Sequence, residues 1–257
     1  MLNQALLRFA IDFMTKKGYT YIEPPLLVRK KIIDAAIGGS AKEFENSIYA
    51  IKDEDLNLIG TSEHAVLGMH ENEIIKEEEL PKKYTAYSMC FRKEIGSHGI
   101  NEKGLWRTHQ FNKVEQFIFC KPEDSWRFHD ELIQNAEELF QKLELPYRMV
   151  NICTGDIGTV AAKKYDLEVW MPVQGTYREV VSCSNCTAYQ AVRLNIRYRT
   201  PEGNKYVHTL NSTAVATSRA IVAIMENFQQ EDGSVKLPKA LWPYMNGIRS
   251  LTPKAKQ

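Results

Sequence analysis

Two strand-like runs joined by a glycine-bearing loop constrain this chain more than any other feature. KKYTAYSMCFRKE (82–94) and THQFNKVEQFIFC (108–120) read as strands, and IGSHGINEKGLW between them reads as a long mobile loop. Side chains alternate faces along a strand. Arg92 and Glu94 therefore share one face, and Phe111, Lys113 and Glu115 share another. If both sets turn to one cavity, they bring together two cations, two carboxylates and an aromatic ring. Taken alone, the pattern favours a plainer reading, a solvated sheet face crossed by ion pairs.

The rest of the chain supplies layers for such a hairpin to pack against. Leu2, Leu6, Phe9, Ala10 and Phe13 keep helical spacing over 2–17, with Gly18 as the stop. Tyr19–Val28 is extended, because Pro24 and Pro25 bar a regular helix and most of a central strand. Leu56–Glu63 reads as a strand running into a helix. After Pro122 a helix carries Phe128, Leu132, Ala136, Leu139 and Leu143, and Pro146 ends it. Three short strands follow at 147–153, 166–172 and 176–183. KYVHTLN (205–211) then leads into an apolar helix over 212–228. Strands outnumber helices in the middle, so the expected class is α+β with a largely antiparallel sheet and flanking helices. With 257 residues, no repeat and no linker, a single domain over 1–257 is the simplest reading.

Composition narrows the function only by exclusion. A net charge of +1 gives no bulk pull toward nucleic acid or membrane. No apolar run reaches membrane-spanning length. Five scattered cysteines and no secretory signal suggest reduced thiols and a cytoplasmic protein. Cys183-x-x-Cys186 lacks a second pair at zinc spacing and reads as two structural thiols. His64, His98, His109, His129 and His208 have no metal-site spacing, and surface or hydrogen-bonding roles are expected of them. The loop glycines are not followed by the Lys-Ser/Thr of a phosphate-binding P-loop. Trp126 and Phe128 read as packing residues.

Five ordered blocks change the odds on the hairpin. Phe91-Arg92-Lys93-Glu94, a loop, then Arg107 to Phe111 resembles the second signature motif of class II aminoacyl-tRNA synthetases in its seryl form. GYTYIEPPLLV resembles the first motif, with Pro25 as its proline, and LNSTAVATSRAIVAIMEN resembles the third, with Arg219. Thr61-Ser62-Glu63 resembles the Thr-x-Glu element of the seryl enzymes, and GDIGTVAAKKYDLEVWMPVQGTYREVVSCSNC resembles their seryl-specific block. The resemblance spans essentially the whole chain, is archaeal-like in wording, and is specific because the blocks keep their order.

The resemblance implies serine activation with ATP and Mg2+, yielding seryl-adenylate and pyrophosphate. It implies that Arg92 holds the α-phosphate and the serine carboxylate. Glu94 would lie near the adenine amino group, and Phe111 would stack on adenine. Arg219 would pair with the far phosphate, with Arg107 assisting. Glu179 and Ser182 would hold magnesium, so Arg92, Arg219 and Glu179 form the catalytic set. A regular strand puts Glu179 and Ser182 on opposite faces, so this role requires a bulge or a local twist. Thr61, Glu63, Arg92, Glu115, Asn211 and Thr213 would surround serine. A homodimer is implied through the first motif.

Three departures qualify the expectation. The family carries an N-terminal coiled-coil arm that grips tRNA(Ser), and none precedes Met1, so charging of tRNA(Ser) is expected to be weak and adenylation intact. Ala188 and Val192 stand where the family commonly has an acid and a base. Ala216-Thr217-Ser218 replaces the glycines many class II enzymes have in the third motif. Two rivals remain: a stand-alone homologue that ligates a small amino acid to a carrier protein and binds zinc, and a non-catalytic paralogue. The full-length loop 95–106 weighs against the first rival. The retained Arg92, Arg219 and Glu179 weigh against the second.

Overall fold

A computed structural model of the protein describes residues 1–38, 47–94 and 104–253. Its centre is a seven-stranded sheet. In chain order the strands are β1 (Thr20–Ile22), β2 (Lys82–Phe91), β3 (Gln110–Cys120), β4 (Tyr147–Asn151), β5 (Lys163–Met171), β6 (Thr176–Asn185) and β7 (His208–Ala216). They lie in the order β1-β2-β3-β7-β6-β5-β4, and every neighbouring pair is antiparallel except β1 and β2. The expected α+β class and antiparallel sheet are therefore present. The loop expected between β2 and β3 falls mostly on residues 95–103, outside the described residues.

Among the described residues six α-helices cover the sheet: α1 (Leu2–Lys16), α2 (Lys30–Ile37), α3 (Ser62–Met69), α4 (Ser125–Lys142), α5 (Tyr189–Leu194) and α6 (Thr217–Phe228). The alternation along β3 shows how the layers divide. Val114, Ile118 and Cys120 pack into a core with α1, α4 and α6, while Phe117 and Phe119 enter a second core with α2, α3 and α5. Phe111, Lys113 and Glu115 continue the row of Phe117 and Phe119, so the charged residues occupy the mouth of the second layer. Gly18 ends α1 with φ at 87°, a left-handed value that suits glycine. Glu144 ends α4 in the same way with φ at 57°, two residues before the expected terminator Pro146.

Three expectations need correction. Ser212–Ala216 is the end of strand β7, and the helix begins only at Thr217. A run of small and β-branched residues buried on both faces belongs to a central strand, and periodicity alone does not separate that from a buried helix. Arg92 and Glu94 do not share a strand face, because β2 stops at Phe91 and Glu94 has φ at 52°. Trp126 does not pack as expected: it is half exposed on α4, whereas Phe128 is buried.

Candidate active site

The sheet, α2, α3 and the segment 157–161 enclose a cavity of about 610 Å³. All the residues expected in the site line it: Thr61, Glu63, Arg92, Glu94, Arg107, Phe111, Glu115, Glu179, Ser182, Asn211, Thr213 and Arg219. They come from α3, β3, β6, β7, α6 and the ends of the β2–β3 hairpin. Convergence of so many segments on one cavity rules out the plain reading of a solvated sheet face.

Two bulges make the convergence possible. Leu167 pairs with Val181, but Glu168 pairs with Glu179, so β6 carries one extra residue at Val180. The bulge turns Glu179 and Ser182 to the same face, where both line the cavity, as a regular strand would not allow. In β7 the register slips between Thr213 and Val215, with Ala214 as the extra residue. Asn211, Thr213 and Ala216 consequently all line the cavity.

One half of the cavity is cationic. The Arg92 guanidinium lies 5.3 Å from the Phe111 ring centre and donates from Nε to the Gly60 carbonyl at 3.1 Å. Arg107 Nη1 donates to Glu94 Oε2 at 2.9 Å. Arg219, two residues into α6, donates to the Glu179 carbonyl at 3.0 Å and sits 3.3 Å from Glu179 Oε1. Burial, set against the attraction of Glu179 and reinforced by Arg92 and Arg107, holds the Arg219 pKa below its usual range. The guanidinium groups of Arg178 and Arg219 each lie over the Trp106 ring, 5.5 Å from its centre.

The other half is a dry polar network. Thr61 caps α3 and accepts from the Glu63 backbone N–H at 3.4 Å and from Lys113 Nζ at 2.7 Å. Lys113 Nζ also pairs with Glu115 Oε2 at 2.7 Å, with both side chains buried. Asn211 Nδ2 donates to Glu63 Oε1 at 3.1 Å. Burial pushes the Glu63 carboxyl up to about 7, despite its hydrogen bond from Gln190. Burial, with Arg92 and Lys113 nearby, pushes His64 down to about 3, so the imidazole is neutral. Of the surface and hydrogen-bonding roles expected of His64 the structure shows the second: it is buried, lines the cavity and accepts at Nδ1 from the Gly60 N–H at 3.4 Å. The motifs assign no ligand-binding role to Lys113 or Gln190. For Lys113 the signal was present, since it lies between Phe111 and Glu115 on their face. Gln190 comes from a six-residue helix that the sequence does not announce.

Beside Ser182 lies Asp166, whose carboxyl burial and Glu179 push up to about 6. Glu179 and Ser182 put hard oxygen donors at the cationic end of the cavity, the donor chemistry that suits magnesium. Cys183 and Cys186 are buried free thiols whose pKa values burial raises. Among the described residues, no group of three His, Cys, Asp or Glu side chains is arranged to hold a metal.

A cavity with a cationic half and a buried polar half, at the open face of an antiparallel sheet, is the arrangement expected from the resemblance to class II synthetases. The family model for the tRNA synthetase class II core domain (G, H, P, S and T) matches residues 47–228, and the chain belongs to that family. Its likeness within the family is to seryl enzymes. It is 57% identical to the serine–tRNA ligase of Methanocella arvoryzae over 254 residues, covering 98% of this chain and 59% of that protein. It is likewise 57% identical to that of Pyrococcus furiosus, over 100% of this chain and 56% of the relative. The crystal structure of seryl-tRNA synthetase from Pyrococcus horikoshii complexed with ATP superposes with a TM-score of 0.95 at 56% identity, covering 99% of this chain and 57% of that one. The chain thus spans little more than half the length of the relatives it matches.

Proposed function

We propose that this chain activates L-serine with ATP, forming seryl-adenylate and pyrophosphate, as a single catalytic domain. The observation that carries the reading is the junction at Arg92, which lies between the cationic half and the dry half of one cavity. The likeness to serine–tRNA ligases supports the amino acid, and the ATP complex of the Pyrococcus horikoshii enzyme supports the nucleotide.

In this reading adenine stacks on Phe111 near Glu94, and the phosphates lie against Arg92, Arg107 and Arg219. Glu179 and Ser182 hold Mg2+, which supplies charge neutralisation to the phosphates when bound. A serine carboxylate oxygen attacks the α-phosphorus in line. The new O–P bond forms as the α–β bridging P–O bond breaks, and pyrophosphate departs with that electron pair. The carboxylate is already ionised at neutral pH, so no protein base is needed. Arg92 aligns the two reactants, and Arg219 stabilises the leaving charge. Thr61, Glu63, Glu115, Asn211 and Thr213 surround serine. A pocket that hydrogen-bonds the substrate hydroxyl rejects alanine by roughly 10⁴-fold or more.

Transfer of serine to tRNA(Ser), assembly as a homodimer and work in the cytoplasm extend the same reading, and the curated relatives support the first. No helix among the described residues is long and apolar enough to cross a membrane. The test is ATP–pyrophosphate exchange with serine, threonine, alanine and glycine in turn, then charging of tRNA. Exchange should depend on serine. Preference for glycine or alanine would point to the carrier-protein rival, and no exchange with any of the four would point to the non-catalytic one.

A further inference from the structure

Behind Glu63 lies a buried amide for which the reaction above has no use. Gln190, on α5, is fully enclosed. Its Nε2 donates to Glu63 Oε1 at 2.5 Å and to the Ala36 carbonyl at 3.1 Å. Its Oε1 accepts from Thr209 Oγ1 at 2.7 Å. Both amide hydrogens and one carbonyl lone pair are therefore used. A flipped amide would set its carbonyl against the Glu63 carboxylate and the Ala36 carbonyl, so only one orientation satisfies the site. Three segments distant in sequence meet here: the end of α2, the first turn of α3 and strand β7.

The consequence falls on Glu63. Its Oε1 accepts from two amides, Gln190 and Asn211. Among the described residues nothing donates to Oε2, and the side chain lines the cavity. An oxygen gripped on one side leaves the other with a fixed direction.

We propose that Gln190 is the positioning residue of the amino-acid subsite: by holding Glu63 Oε1 it aims Oε2 at the ammonium group of an α-amino acid, and through Ala36 it ties that carboxylate to the α2 wall. The inference rests on the reading of Glu63 as a serine-binding group. The same hydrogen bond partly offsets the burial that raises the Glu63 carboxyl, since a donated hydrogen bond favours the charged form.

The test compares wild type with Gln190→Leu and Gln190→Glu in ATP–pyrophosphate exchange. The serine KM should rise about tenfold or more, the scale of losing a hydrogen bond to a charged group, while the ATP KM stays unchanged. The acid limb of kcat/KM for serine should move to higher pH, because Glu63 loses a donor. In the ligand-free protein the Glu63 carboxyl, followed by 13C NMR and assigned with Glu63→Gln, should titrate at higher pH in Gln190→Leu. If Gln190→Leu does not fold, Thr209→Val, which frees the amide carbonyl, should give a smaller shift in the same direction. Equal rises in both KM values, or a Glu63 titration that ignores residue 190, would overturn the proposal. If wild type shows no serine-dependent exchange, the functional reading falls, and the carboxyl titration still decides whether Gln190 holds Glu63.

Discussion

The two halves of the cavity share strand β3 but are built on opposite physical terms. The cationic half uses pairs that stay partly wet: the Arg107 and Glu94 side chains are 34% and 15% exposed, and those of Arg219 and Glu179 are 20% and 44% exposed. In the dry half, Lys113 and Glu115 are 8% and 3% exposed. Wet pairs contribute little and exchange partners readily. An arriving polyphosphate takes over the guanidinium groups at small cost. A buried pair does not let go, because each member would be left as an uncompensated charge. The comparison teaches that one half is made to be rearranged by its ligand and the other to stay fixed around a small one.

The largest effect expected from this contrast is on stability, at Lys113. Lys113→Met strands Glu115 and should destabilise the fold by about 3–5 kcal/mol, read from urea unfolding. Adding Glu115→Gln should recover most of that loss. A Lys113→Met protein as stable as wild type would mean that the dry half is wet. The mirror experiment is Arg219→Ala. It should leave unfolding nearly unchanged while lowering kcat/KM for exchange by about 10²–10³, the usual loss for one preorganised electrostatic group. If both variants lost stability alike, the distinction between the halves would fail.

A pH series sharpens the comparison further, because two dry groups have opposite signs. Glu63 is raised from 4.5 to about 7, so the folded state binds the extra proton. Its contribution is fully present below 4.5 and is lost as pH rises through about 7. His64 is lowered from 6.5 to about 3, so its contribution is present above 6.5 and lost as pH falls through about 3. Between 4.5 and 6.5 the two oppose each other. Glu63→Gln removes one of them. Its stability relative to wild type should improve steadily from pH 4.5 to 7.5, since only wild type carries the ionisation penalty. Asp166 is raised in the same direction but is common to both proteins, so it cancels in the difference. A flat difference would show that Glu63 titrates as a solvated carboxylate.

The contrast also explains what the sequence disclosed. The cationic half was legible because Arg92, Phe111 and Arg219 sit in ordered motifs, and a strand's alternation puts Phe111, Lys113 and Glu115 in one row. The Glu179–Ser182 pairing contradicted simple alternation, and the Val180 bulge resolves it. Such a bulge depends on how β5 and β6 pair, which no local pattern reports. The dry half was legible only in part. Glu63 came from its motif, but the amide that orients it reaches across 127 positions. Helices α2 and α5, of eight and six residues, are too short for periodicity to detect. Ser212–Ala216 was misread because burial on both faces erases the alternation that marks a strand.

The smallest effect concerns Ala188 and Val192, where the family commonly has an acid and a base. They flank Gln190 in sequence, Ala188 as the N-cap of α5 and Val192 within it, yet neither disturbs the dry half. Ala188 is the N-cap of α5 with no side-chain cap, and the Val192 N–H donates to its carbonyl at 2.9 Å. The two positions are therefore one turn apart on a helix surface, and Val192 is 49% exposed. An acid and a base there would form an i,i+4 pair worth about 0.2–0.5 kcal/mol. Gln190 points the other way, into the protein, and keeps all three of its hydrogen bonds without them. The double variant Ala188→Asp/Val192→Arg should thus gain under about 1 kcal/mol in urea unfolding and leave the serine KM unchanged. A serine KM that moved by tenfold would show that the surface of α5 communicates with Glu63, and that the dry half is less rigid than its hydrogen bonds imply.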